Sequence, residues 1–513
     1  MITIGESLSL NAIRIPEKIA LVYGNQKMTY RELDQRASRL AGALLGLGFK
    51  KDDKIGVLLE NNKEIIEILF GCAKAGIIAV LINFRSSSNE VNYILETYRC
   101  KGLISHGDYA ETCMLIPKDV KLRFCAGGKE KLPDWLDYDQ FVDGGAPLAP
   151  PYDVNPEDCW VILFTTGFTG KPKAVMRCHD DMLMSNFYGT IQLGFTENDV
   201  MLVVMPICHL NGLEYSLMTL FCGATEVIYT ERTFQAEAVL KLMRDQHITA
   251  ASLVPTMFHK FFALPEDVQK ELRPGHFRVL ITSSMPMTTQ MKNRILDYFT
   301  GSSLWEVYGG SENGYVTVMK PQDQLRKVRS VGMTWLGVEI KLVDQSGNEI
   351  KEVGKVGELF FRGQGTFKGY YEDPVNTADT IKDGWCGIGD LAKYDDEGFI
   401  YLVDRKKDKI ITGGENVFPT EVEEILLGFP GIDEVAIIGL PDEMWGEKIH
   451  AVIVPKPGVT LDKEKIIAFA KENMAKFKVP KSIDFLNEPL PKTATGKVLR
   501  RELRERAQKT HTV

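Results

Sequence analysis

The run "CWVILFTTGFTGKPKAVMRCH", Cys159 to His179, decides how this chain is to be read. Its two apolar ends, Trp160–Phe164 and Ala174 onward, read as strands. Between them lie Gly167 and Gly170, three threonines and two lysines. Glycines let successive backbone N–H groups point into one concavity, an anion nest. The threonine hydroxyls add donors, and Lys171 or Lys173 can neutralise phosphate charge. A Walker loop has a different spacing and needs Ser or Thr where Pro172 stands. Taken alone, the stretch fits either a phosphate-binding loop or a flexible surface turn.

Outward from that stretch, 513 residues exceed a single core and imply two or three domains. A composition of 44% apolar and 25% charged residues is that of a folded protein. The net charge of −8 argues against a nucleic-acid surface or an anionic membrane as partner. The opening "MITIGESLSLNAIRIPEK" lacks a basic n-region and a long apolar h-region, so it does not read as a secretory signal. The most apolar stretch, Ile65 to Phe84, carries Glu67 and Lys74 and breaks at Gly76. It reads as a core helix turning into a buried strand, not as a transmembrane segment. Nine cysteines without C-x-x-C pairs read as reduced core residues of a cytoplasmic protein.

"TYRELDQRASRLAGALLGLG" opens with a capping box, Thr29 with Glu32, and sets Leu33, Ala37, Leu40, Ala41 and Leu44 on one helical face. A strand "KIGVLLEN", a helix 63–74, a strand 77–82 and a capped helix at Ser87 to Glu90 follow. This alternation runs to about residue 300 and implies parallel sheets covered by helices. Beyond about 330, "GVEIKLVDQSGNEI" and "KVGELFFRGQG" read as hairpin strands of a β-rich part. Past "DRKKDK" a small α+β domain is expected, with a helix capped at Thr420 with Glu423 and another at 463–475.

Four more stretches complete the pattern: "EVYGGSEN" (306–313), "WCGIGDLAKYDDEGFIYLVDRKKDKI" (385–410), "ITGGENVFPTEVEEIL" (411–426) and "LPKTATGKVLRREL" (490–503). With the opening loop, in this order, they resemble the adenylate-forming superfamily of acyl-CoA synthetases, peptide-synthetase adenylation domains and firefly-type luciferases. The resemblance runs from Tyr30 to Leu503. The form at 413–423 is similar to the fatty- and organic-acid CoA ligase branch. The fold implied is α/β multidomain: an N-terminal AMP-binding part, residues 1–403, of two α/β subdomains plus a β-barrel at about 330–403, and a small mobile α+β lid, 404–513.

The resemblance also implies the chemistry. A carboxylate must attack the α-phosphorus of ATP, anion against anion, so positioning and charge neutralisation dominate. Thr165, Thr166, Gly167, Thr169, Gly170 and Lys173 would cradle the phosphates, and Glu312 would hold Mg²⁺. Glu306, Tyr308 and Ser311 join the ATP site, Asp390 and Arg405 take the ribose, and Lys497 reaches across from the lid to the α-phosphate. The lid then rotates about Lys407 so that coenzyme A captures the acyl-adenylate. Gly413 and Gly414 would line its channel, with Trp445 or a lysine of "KFKVPK" at its nucleotide.

His209 in "MPICHLNG" matches the histidine at the mouth of the family's acyl pocket, although a core histidine fits too. Val254–Pro255, Ser283–Ser284, Val307, Gly309 and Gly310 are the expected walls. No acid between Met205 and Leu213 is available for a substrate ammonium, which argues against amino acids. "SSMP" at 283–286 narrows the pocket and favours a small or medium carboxylic acid. The function expected is an AMP-forming acid–CoA ligase. The alternatives are an acyl-adenylate donor to a separate carrier protein and a catalytically lapsed nucleotide-binding relative. The oligomeric state stays open, a homodimer included. Phe168 and Ala174 depart from the family's pattern of Ser or Thr and of glycine. Phe168 is expected to pack over the loop and loosen its hold on pyrophosphate.

Overall fold

The computed structural model describes residues 2–511 except 114–115, 118, 129–133, 151, 166–171, 284–286, 407, 413–414, 443 and 494–497. Among the described residues the strands form four sheets of nine, eight, seven and five strands.

Short apolar runs build the two large sheets. Ile78–Leu81, Ala250–Leu253 and Val279–Thr282 are buried along their whole length, as strands covered on both faces must be. In the eight-stranded sheet, Cys159–Thr165 runs parallel to Ile78–Leu81, which neighbours Lys54–Leu58. Lys173–Cys178 and Gly369–Tyr370 then add antiparallel strands at that edge. In the nine-stranded sheet, Ser303–Gly310 lies parallel to Val279–Thr282 and antiparallel to Gly314–Met319. The parallel interior fits the alternating strands and helices of the sequence; the antiparallel edges carry the turns of interest.

Local signals set the helices. Thr29 and Glu32 form the expected capping box on Tyr30–Gly46, and Leu33, Ala37, Leu40, Ala41 and Leu44 are all buried. Each such leucine contributes about 1.5–3 kcal/mol. Ser87 and Glu90 cap Ser88–Thr97 in the same way. Asn62 caps Lys63–Ala75, a helix buried on nearly every side that ends at Gly76 with φ +69°. Its three buried charges are satisfied, Glu64 by Lys63 at 2.8 Å. Arg36 donates to Glu67 at 2.7 Å, Tyr138 to the same carboxylate at 3.1 Å, and Lys74 pairs with Asp34, Ser9 and Ser38. No helix among the described residues is long and apolar enough to cross a membrane.

Three expectations are corrected. The helix placed at Thr420 is Pro419–Leu427, with Phe418 in the cap position and no side-chain cap bond. Proline suits the first helical position, and the Thr420 hydroxyl is drawn to the Val403 carbonyl and Asp404 instead. The helix at 463–475 is Lys463–Asn473. The β-rich part is a seven-stranded sheet around Val338–Val343, Gly357–Gly363, Asp390–Tyr394 and Ile400–Arg405, without a pairing that closes it into a barrel among the described residues.

The carboxyl ends of the two large sheets meet. Asn61, just past Lys54–Leu58, donates to the Met205 carbonyl at 2.9 Å and accepts from Ile207 N at 2.8 Å. Asn83, just past Ile78–Leu81, reaches His209 at 3.3 Å. Ligands of open α/β sheets bind at such carboxyl ends.

Candidate active site

Thr165 and Lys173 form the last pair of an antiparallel hairpin. Thr166, Gly167, Phe168, Thr169 and Gly170 lie outside the described residues. The Lys173 ammonium sits 4.6 Å from the ring centroid of Tyr370, a cation–π contact. The Tyr370 hydroxyl donates to Glu312 Oε1 at 3.0 Å. Thus Lys173 and Glu312, 139 positions apart, share one tyrosine. Burial, and then the Glu312 charge, push the Tyr370 hydroxyl's pKa up, so it stays a donor.

Glu312 projects from the turn between Ser303–Gly310 and Gly314–Met319. The Gly-Gly of "EVYGGSEN" has a steric cause. A Cβ on Gly309 would lie 1.9 Å from the Gly314 carbonyl oxygen, and one on Gly310 2.9 Å from Asn313 Oδ1. The turn is fastened from outside: Phe367 N donates to the Glu312 carbonyl at 3.0 Å, and Arg177 Nη1 to the Ser311 carbonyl at 3.3 Å.

On the same strand the Tyr308 hydroxyl donates to Asp390 Oδ2, while Arg405 Nε lies 3.0 Å from Asp390 Oδ1. Asp390 and Arg405 are also cross-strand partners. Burial disfavours the Arg405 charge, but Asp390 and its neighbours outweigh that and raise its pKa. Two of the expected ribose and ATP residues are therefore joined through a third. Glu306 is different. Its carboxylate pairs with the buried Lys292 ammonium.

His209 is half-buried at the start of helix Leu210–Cys222, in the cap position without a side-chain cap bond. Burial, then the Arg85 charge, lower its pKa to about 4, so the ring is neutral near pH 7. Val307 is buried, and Ser284 lies outside the described residues. Ser283, an expected wall residue, ends a polar chain whose other members, Asn211 and Ser252, sequence reasoning missed: Ser252 Oγ donates to Asn211 Oδ1 at 3.1 Å and Asn211 Nδ2 to Ser283 Oγ at 2.8 Å. Glu214 is buried against Ser185, which donates to it at 2.8 Å. Burial raises its carboxyl to about 7, against the Arg177 charge.

Lys497, Lys407, Gly413 and Gly414 lie outside the described residues. Trp445 is 42% exposed, and the Lys481 ammonium sits 5.3 Å from the centre of its ring. Lys478 is paired with Glu421. Arg177 and Tyr370 were not singled out from sequence. Nothing local distinguishes Arg177 in "VMRC" or Tyr370 in "KGYYED"; only the tertiary arrangement does.

A family model described as AMP-binding enzyme matches residues 9–371, and one described as AMP-binding enzyme C-terminal domain matches 421–497. A feruloyl-CoA synthase of Amycolatopsis sp is 32% identical over 493 residues, covering 96% of each chain. A long-chain-fatty-acid–CoA ligase of Mycobacterium tuberculosis is 31% identical over 495 residues, 94% of each chain. The chain also superposes, with a TM-score of 0.82 at 27% identity, on o-succinylbenzoate CoA synthetase from Bacillus subtilis in complex with ATP and magnesium ion. That likeness covers 97% of this chain and 98% of the other.

Proposed function

The chain belongs to the AMP-binding enzyme family, and from that premise we propose that it is an AMP-forming acid–CoA ligase. It activates a small or medium carboxylic acid, aliphatic or cyclic, as an acyl-adenylate and passes the acyl group to coenzyme A. The observation that carries this reading is the line Lys173–Tyr370–Glu312 beside Tyr308–Asp390–Arg405. One phosphate-compatible cation, one metal-compatible carboxylate and one carboxylate suited to vicinal hydroxyls lie on three connected turns.

In this reading the ATP phosphates rest on the hairpin that begins at Thr165 and ends at Lys173. Glu312 fits Mg²⁺, which takes one or two carboxylates and fills its octahedron with phosphate oxygens and water. Tyr370 engages one oxygen of that carboxylate and fixes its direction. The ion, when bound, neutralises charge between phosphate oxygens. Asp390, held by Tyr308 and Arg405, accepts from the ribose hydroxyls. Lys497 brings a cation to the α-phosphate, where charge builds up as the carboxylate attacks. A neutral His209 at the pocket mouth can accept or donate one hydrogen bond without adding charge. The reading divides the chain into an AMP-binding part, 1–403, and a lid, 404–513, turning at Lys407. Coenzyme A then enters past Gly413 and Gly414 toward Trp445. A cytoplasmic location agrees with the cysteine usage.

Relatives acting on acids as different as ferulate and long-chain fatty acids leave the acid itself to the pocket. Its polar Asn211–Ser252–Ser283 wall supports a compact acid over a long alkyl chain. Pyrophosphate release over a panel of acids, with and without coenzyme A, tests the proposal. Acid-dependent release followed by a CoA thioester is expected. Adenylate that accumulates and is not captured by coenzyme A would favour delivery to a carrier protein. ATP binding without release for any acid would favour the lapsed relative.

A further inference from the structure

Arg177 is a guanidinium with no access to solvent, on a strand whose first residue is Lys173. The pleat puts Lys173, Val175 and Arg177 on one face. Placing an arginine inside a core is costly unless all its donors are used. Nε donates to Asp181 Oδ1 at 2.7 Å, Nη1 to the Ser311 carbonyl at 3.3 Å and Nη2 to the Gly365 carbonyl at 3.0 Å. Asp181 is itself fixed, accepting from Cys178 N at 2.8 Å.

The two carbonyls belong to the segments that hold Glu312. Ser311 precedes it in the turn. Gly365 opens the stretch in which Phe367 N binds the Glu312 carbonyl and Tyr370 binds its carboxylate. Both glycines of this region are crowded. A Cβ on Gly365 would come within 3.1 Å of Ser185 Cβ, and one on Gly314 within 3.0 Å of the Gly365 carbonyl oxygen. The two segments are therefore packed closely enough for one guanidinium to bridge them. A strand rooted in the phosphate hairpin thereby grips both supports of the acidic turn.

We propose that Arg177 is a positioning residue that sets Glu312 at its working distance from the Thr165–Lys173 hairpin, so that magnesium and nucleotide phosphates are bound together. The inference rests on the reading of Glu312 given above. It does not make Arg177 a ligand, since every nitrogen of its side chain faces protein oxygen. Lysine keeps the charge but offers donors from a single nitrogen, and cannot span Asp181, Ser311 and Gly365 at once.

Titration calorimetry of the whole protein with ATP, in excess Mg²⁺ and again in EDTA, without any acid, tests this. Arg177→Lys is expected to weaken Mg²⁺·ATP about tenfold, the scale of one lost hydrogen bond to a charged group. Metal-free ATP should change less than about twofold, because the hairpin stays intact. The double substitution Arg177→Met with Asp181→Asn removes both charges of the pair, while the buried Glu214 carboxyl, losing the Arg177 charge, is driven further toward its neutral form; it should show the same selective loss. Equal weakening of both forms of ATP, or no weakening of either, in a variant that melts cooperatively overturns the proposal. A wild type that makes no acyl-adenylate from any acid would instead overturn the function reading, while the calorimetric comparison still decides Arg177.

Discussion

The Tyr370 hydroxyl, 3.0 Å from Glu312, is a single donor whose loss leaves its ring and the Lys173 contact in place. Tyr370→Phe should lower Mg²⁺·ATP affinity about tenfold, one hydrogen bond to a charged acceptor, with little change in melting temperature; calorimetry and thermal denaturation report the two. Glu226, away from the site, concerns stability alone. It is buried on strand Thr225–Ile228, accepts from Ser216 at 2.7 Å, and burial raises its carboxyl to about 7. A carboxyl harder to ionise in the fold than in the unfolded chain stabilises fully below its ordinary value of 4.5 and ceases to as pH rises through about 7. Glu226→Gln, which mimics the protonated form, should therefore raise the melting temperature at pH 8 and change it little at pH 5. Single residues were legible in sequence when their partners were near or their motif was rich. Asp390 and Glu312 stood out in glycine turns. The ion pair of Glu306 was not legible, because its partner, Lys292, sits on another element and nothing in "EVYGGSEN" points to it.

Elements were legible where their signals are local. The capping boxes at Thr29 and Ser87 sit within four residues of sequence, and both form. Thr420 failed for one local and one distant reason: its neighbour Pro419 takes the first helical position, and Asp404, 16 positions away, takes the hydroxyl. Strand order was not legible, since neighbours such as Ile19–Tyr23 and Thr225–Ile228 are two hundred positions apart and pair only through the packed sheet. The hairpin 303–319 offers a direct test of how narrow its turn is. Gly309→Ala puts a methyl against backbone, whereas Gly310→Ala meets the end of the Asn313 side chain, which can swing away. Gly309→Ala should cost about 3 kcal/mol and Gly310→Ala about 1 kcal/mol or less, overpacking against rigid and yielding neighbours respectively. Denaturant titration of the two variants separates them.

At the scale of the whole molecule, position 407 lies between two allegiances. Arg405 pairs with Asp390 in the site, and Asp408 accepts from Arg504 of the C-terminal helix Arg500–His511 at 3.3 Å. A rotation between these contacts needs backbone freedom in between. Lys407→Pro fixes φ near −65° and should leave adenylate formation near normal while slowing thioester formation. Lys497→Ala should do the reverse. It should reduce adenylate formation at least a hundredfold, about 3 kcal/mol of transition-state stabilisation, and spare capture by coenzyme A of adenylate supplied ready-made. Rapid-quench measurement of the separate half-reactions checks both variants. One feature of the C-terminal sheet makes such a rotation visible without labels. Of the six tryptophans, Trp445 alone is exposed, with Lys481 over its ring, while the other five are buried or half-buried. Its emission is therefore the longest in wavelength and the first that acrylamide quenches, so the chain carries its own optical gauge on the side of the molecule that is meant to turn.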